Sequence, residues 1–138
     1  MKAVISEVFD APVSKVWDAL TKPELIKQYL FDTNTESTWE VGTPVFFRGE
    51  WEGQTYEEKG TILENEYQKK LTYTYLSSMG GKEDKPENYS IVSNELEDLG
   101  GKTKLTITQD NIQDEQTKEH SAANWKMVLE KMKTVVGQ

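Results

Sequence analysis

The sequence predicts an α+β fold: an antiparallel sheet wetted on one face and covered on the other by a long C-terminal helix, with two short helices after the first strand. Three observations carry this. Apolar residues recur at helical spacing twice between positions 13 and 30 and again over the last two dozen residues. The middle of the chain instead alternates with a period of two, in runs broken by Gly, Asn, Asp and Lys clusters. Polar residues fill nearly every outward position of those runs, which is the pattern of a sheet solvated on one side.

The elements follow in order. The alternation in "MKAVISEVFDAP" stops at Pro12, which suits a strand running into a helix with proline in its first turn. Val13, Val16, Trp17 and Leu20 then form one buried helical face. In "TKPE", Thr21 and Glu24 have capping-box spacing, and a second short helix follows with Leu25, Ile26, Tyr29 and Leu30 on its apolar side. Strands are expected at 35–41, 44–52, 55–64, 70–77, 88–98 and 102–110. Their inward faces carry Val45, Phe47, Gly49 and Trp51, then Leu71, Tyr73 and Tyr75, then Leu105 and Ile107. The polar stretch 77–88 reads as a long hairpin loop, and "DLGGK" as a tight turn.

On the last helix, at 100° per residue with Trp125 at zero, Lys118, Ser121, Ala122, Val128, Leu129, Met132, Val135 and Val136 fall within roughly 80°. Asp114 and Glu115 at its start, Lys131 and Lys133 in its last turn and Gly137 beyond agree with helix caps and dipole. The stripe places the helix on the apolar face of the sheet. His120 projects about 140° away, toward solvent.

The composition limits the chemistry. A chain of 138 residues has length for one domain, 1–138, around one core, and its four tryptophans, six tyrosines and four phenylalanines are spread too widely for disorder. Sixteen basic against 24 acidic residues give a net charge of −8, unfavourable for nucleic acid and for anionic membranes. Without cysteine there is no disulfide, thiol nucleophile or thiolate metal site, and one histidine cannot supply the usual zinc sets. The N-terminus has no long apolar run, so a cytoplasmic location is expected. Serine nucleophile elbows, phosphate-binding glycine loops and dinucleotide fingerprints do not occur. Glu50 and Glu52 share a strand face that reads as solvated. Glu58 is the one candidate buried acid, in register with Tyr56 and Ile62, although a frayed strand end is the simpler reading of its position.

The order of strand, two short helices, six strands and long helix resembles the helix-grip fold of START-type and pollen-allergen-like proteins. More narrowly, "APVSKVWDALTKPELIKQYL", "GTILENEYQKKLTYTY", "TKLTITQDN" and "NWKMVLEKMK" resemble the bacterial branch of the AHSA1-type family, named for the activator of the heat-shock-protein-90 ATPase, within the SRPBCC superfamily. The likeness spans essentially the whole chain, with Asn124 standing where members often have glycine. It implies a helix gripping a strongly curved sheet, commonly over an apolar cavity. Sequence alone admits both an open cavity and a core filled to ordinary density.

The expected function is therefore binding or carriage of a small, mostly apolar molecule, such as a lipid, flavonoid or polyketide-like compound, with neither metal nor organic cofactor. Expected ligand-binding residues are Tyr29, Trp39, Phe47, Trp51, Tyr73, Tyr75, Ile107 and Trp125, whose rings suit an apolar pocket fixing one or two ligand oxygens. Competing expectations are a co-chaperone-like module meeting a chaperone or other protein through its surface, and an enzyme using water with a tyrosine or carboxylate.

Overall fold

Strand β1 (Ala3–Phe9) leads into α1 (Val13–Thr21) and α2 (Pro23–Tyr29), followed by β2 (Asn34–Glu36), β3 (Pro44–Trp51), β4 (Gln54–Glu66), β5 (Lys70–Ser77), β6 (Ser90–Asp98), β7 (Thr103–Gln109) and α3 (Glu115–Val135). The computed structural model describes residues 1–30, 32–77 and 83–136, without the side chains of Trp51 and Ser77. The strands form one antiparallel sheet in the order β1-β7-β6-β5-β4-β3-β2. This is the helix-grip arrangement, with α3 on the concave face. No helix among the described residues is long and apolar enough to cross a membrane.

Curvature is written into β4. An ideal Cβ at Gly60 would sit 1.6 Å from the backbone oxygen of Thr74, so only glycine lets β4 and β5 approach this closely. Here the Thr74 hydroxyl accepts the Thr61 amide at 2.8 Å. Two residues on, the register shifts between Ile62 and Glu64, a bulge that adds twist and leaves Leu63 outside.

The concave face buries Phe9, Val45, Ile62, Leu71, Val92 and Leu105 completely, and Val128, Leu129 and Met132 of α3 close over part of it. Each such side chain contributes roughly 1.5–3 kcal/mol of transfer free energy, which makes this half of the sandwich the main source of stability. Helix α1 adds Val16, Trp17, Ala19 and Leu20, and α2 adds Ile26 and Tyr29. At the β1 edge the inward acid Glu7 is met by Lys133 of α3 at 2.9 Å, an ion pair little exposed to solvent.

Three expectations need correction. The strand at 35–41 is only three residues long, because polar turn contacts take over. The Trp39 amide donates to Ser37 Oγ, the Thr43 hydroxyl donates to the Glu40 carbonyl, and Trp39 adopts a left-handed φ of 65°. Thr21 does not cap α2: its hydroxyl donates to the Trp17 carbonyl at 2.9 Å, and Lys22, with no side-chain cap bond, separates the helices. Glu58 is not at a frayed end. It lies inside β4, paired with Phe47 on one side and Ser77 on the other. Part of the predicted 77–88 loop lies outside the described residues, and Pro86–Asn88 forms a short 3-10 turn. Asp114 caps α3 as expected, accepting the Thr117 amide at 2.8 Å, while Gly137 lies outside the described residues.

Candidate ligand-binding site

Helix α3 does not meet the sheet evenly. Val128, Leu129 and Met132 are buried, but Lys118, Ser121, Ala122 and Trp125, on the same stripe nearer the N-terminus, are only half-buried. The space left beneath the helix has two parts. The inner part encloses about 40 Å³ among Leu20, Tyr29, Trp39, Ile107, Leu129 and Met132. That is room for a few water molecules at roughly 10–15 Å³ each, and for no larger ligand. The outer part is a pocket of about 250 Å³ between the first half of α3 and β3, β4 and β5. Leu30, Phe47, Tyr73, Trp125 and Val128 line both and form the partition.

The sequence-predicted residues therefore separate. Tyr29, Trp39 and Ile107 wall the inner space, Tyr75 faces the outer pocket, and Phe47, Tyr73 and Trp125 border both. Trp51 ends β3, with its side chain outside the described set. The two polar rings of the inner wall have their polar atoms engaged: the Tyr29 hydroxyl donates to the Ala19 carbonyl at 2.8 Å, and the Trp39 indole N–H to the Thr21 carbonyl at 2.8 Å. They fix α1, α2 and the β2–β3 connection to one another.

The outer pocket is more polar. Glu58 faces it beside Tyr56, Tyr73 and Tyr75, with Gln109, His120, Ser121 and Asn124 around the opening. Tyr75 is hydrogen-bonded to the Glu58 side chain. Burial first, then the neighbouring Glu58 charge and this bond, push the Tyr75 hydroxyl well above the ordinary tyrosine value. Burial also raises Tyr73, partly offset by a hydrogen bond from Asn94, and raises Tyr29. All three hydroxyls therefore stay protonated near neutral pH. Tyr56 shares a 2.6 Å hydrogen bond with the Thr33 hydroxyl, and its ring lies across Gly49 so closely that a Cβ there would come within 2.4 Å of the phenolic oxygen. His120 is exposed, as its helical angle predicts, yet it stands at the pocket mouth.

Sequence reasoning missed Asn94. It is buried on β6 opposite Leu71 and Ile107, and its side-chain amide donates to the Leu71 carbonyl at 3.2 Å. The signal was present, since Asn94 alternates inward with Val92 and Leu96. Asn124 and Ser121 were read only as helix positions, and their part in the opening follows from how far the helix stands off the sheet. Among the described residues no three His, Cys, Asp or Glu side chains converge as metal ligands would.

The comparisons agree with this architecture. The family described as "Activator of Hsp90 ATPase homolog 1-like protein" matches residues 10–137. The solution structure of ChR145 from Cytophaga hutchinsonii is similar at 41% identity, with a TM-score of 0.85 over 96% of this chain and 91% of that one. MLL2253 from Mesorhizobium loti is similar in fold at 22% identity, with a TM-score of 0.80 and coverage of 99% and 96%. CalU16 from Micromonospora echinospora follows at 24% identity, with a TM-score of 0.77 over 99% of this chain and 76% of its own. No protein with a curated description matches.

Proposed function

The chain belongs to the Activator of Hsp90 ATPase homolog 1-like family, and from that premise we propose that it binds or carries a small molecule with a largely apolar body in the outer pocket beneath the first half of α3. The observation that carries this reading is the uneven seating of α3. Its C-terminal half is packed like an ordinary core, whereas its N-terminal half stands over a 250 Å³ space lined by Phe47, Tyr73, Tyr75 and Trp125. That volume lies just below the usual range of about 300–1,000 Å³ for small-molecule sites, so the occupant is compact. It is too small for a folded lipid tail of any length without displacement of the helix.

Within this reading Phe47, Tyr73, Tyr75 and Trp125 contact the ligand, whereas Tyr29, Trp39 and Ile107 act indirectly by holding the inner wall. Glu58, Asn124 and the tyrosine hydroxyls orient its polar end. The pocket is open to solvent past His120 and Ser121, which suits reversible loading.

Native mass spectrometry of freshly purified protein, followed by thermal melts with a small-molecule panel, tests the proposal. A ligand at a hundredfold excess over its Kd adds about 2.7 kcal/mol to the folded state, a rise in Tm of about 5 to 10 °C for a domain of this size. A protein that retains no small molecule and shows no rise with any compound of matching size refutes the reading. Saturable stimulation of a chaperone ATPase would then direct attention to the surface instead.

A further inference from the structure

We propose that the free edge of β1 pairs with β1 of a second copy of this chain, antiparallel about a two-fold axis at Ser6, so that the protein is a dimer in solution. This goes beyond the pocket and does not depend on it. The sheet has two edges, β1 and β2. Strand β2 is three residues long and offers little backbone to pair, whereas β1 runs for seven residues with neither proline nor bulge. Such an edge presents a row of unpaired backbone groups to any strand that fits. Its inward acid, Glu7, which would otherwise discourage pairing, is held by Lys133 of its own chain.

The register identifies which groups are free. The Leu99 amide donates to the Lys102 carbonyl at 2.8 Å and the Asp110 amide to the Ile91 carbonyl at 3.2 Å, so odd-numbered residues of β6 exchange bonds with even-numbered residues of β7. In antiparallel pairing a residue turns its N–H and C=O to the same side, and the side alternates along the strand. Thr103, Leu105, Ile107 and Gln109 therefore bond to Phe9, Glu7, Ile5 and Ala3, and the N–H and C=O groups of Val4, Ser6 and Val8 point out of the sheet edge. No backbone partner for them occurs among the described residues. A two-fold pairing must match outward groups with outward groups. Centred on Ser6, it sets Ser6 against its own copy and Val4 against Val8 in both directions, with every residue of the strand matched. Val4 is 57% and Val8 47% exposed, so the pairing also covers two open apolar side chains. One step beyond, Lys2 comes opposite Asp10 of the second copy; both are exposed, and neither has an ion pair within its own chain among the described residues. Sliding the strands by two residues one way sets Glu7 against its own copy, and the other way sets Lys2 against Val8 and leaves Asp10 unmatched. Charge thus selects the same register that full backbone pairing favours.

Sedimentation velocity and amide hydrogen exchange over a range of protein concentrations test this. A dimer is expected, and the Val4, Ser6 and Val8 amides, which exchange freely at an open edge, should gain protection as the dimer forms. Ser6→Pro removes an outward donor without touching the β7 ladder, so it should give a monomer with little change in Tm. Lys2→Asp and Asp10→Lys each set like charges opposite one another and should each weaken association about fivefold or more. The two together restore opposite charges and should recover most of the affinity. Because both positions are exposed, this cycle reads the interface even if Ser6→Pro fails to fold. A chain that stays monomeric up to its solubility limit overturns the proposal and leaves the edge to an extended segment of another protein. A dimer that both charge reversals leave intact, or β1 amides whose protection does not follow the dimer population, overturns it as well.

Discussion

The indole N–H of Trp125 donates to the side-chain oxygen of Gln109 at 2.8 Å, tying the middle of α3 to the last residue of β7. This bond falls where the helix changes from packed to open, since Val128 and Leu129 just beyond it are buried while Ser121 and Asn124 before it border the pocket. A hydrogen bond of fixed length here spaces the helix from the sheet, where a purely apolar contact would let it settle inward.

Trp125→Phe should therefore cost about 0.5–1.5 kcal/mol in urea melts, the net worth of one such bond. Because this indole borders the pocket, the same variant should lose most of any ligand-induced change in tryptophan fluorescence. A full fluorescence response in the variant would place the ligand elsewhere.

Trp17→Ala is expected to cost about 3–5 kcal/mol. Trp17 is 5% exposed, packs in the main cluster and meets the Tyr67 ring edge-on at 5.9 Å. A loss below about 1 kcal/mol in a denaturant melt would mean that the cluster closes over the gap more completely than interiors normally do.

Gly60→Ala should reach or exceed the ~3 kcal/mol upper end of ordinary overpacking. The added methyl meets a backbone oxygen of β5 rather than a movable side chain, so β4 and β5 must separate to admit it. Thermal melting reads the loss. A variant within about 0.5 kcal/mol of the parent, the range of neutral surface changes, would contradict the close approach that bends the sheet.

Acid sensitivity should trace in part to Asp114. Hydrogen bonds from the Thr117 amide and then the Thr117 hydroxyl hold its carboxyl below the ordinary value. The folded pKa is depressed, so the stabilisation is present above the unfolded value and is lost as pH falls through the folded one. Stability measured between about pH 5 and pH 2 should decline less steeply in Asp114→Asn, which keeps a cap acceptor but cannot titrate. Identical slopes in the two proteins would remove Asp114 from the account.

Most of this fold was legible because its determinants are local and periodic. The 3.6-residue stripe from Lys118 to Val136 located α3, and the alternation in "LTYTY" sorted Leu71 and Tyr73 inward. The failures were at places decided by single polar contacts. Thr21 has the spacing of a cap but bonds back into its own helix, and Trp39 leaves the strand because Ser37 and Thr43 satisfy the turn backbone. The site was half legible. Aromatic residues on inward faces could be named from alternation, but which of them pack and which face a pocket depends on how far α3 stands off, and no sequence period encodes that distance. Glu58 shows the same limit: its inward parity was readable, while its value depended on the length of β4.

The two halves of α3 should respond oppositely to the same enlargement. Ser121 and Leu129 lie two turns apart on one stripe, Ser121 half-buried against the outer pocket and Leu129 wholly buried in the core. Ser121→Trp places an indole in open space, on a helix where serine and tryptophan have similar intrinsic propensity, so stability should stay within about 0.5 kcal/mol of the parent. Leu129→Trp has no void of comparable size to enter, because the inner space is about 40 Å³, and should cost about 1–3 kcal/mol. If ligand occupies the outer pocket, Ser121→Trp also removes the stabilisation that a bound compound gives the wild type, while keeping the fold that binds it. A Ser121→Trp protein as destabilised as Leu129→Trp would mean that the space beneath the first half of the helix is filled. One that is stable and still shows the full ligand-induced rise in Tm would mean that the compound binds outside it.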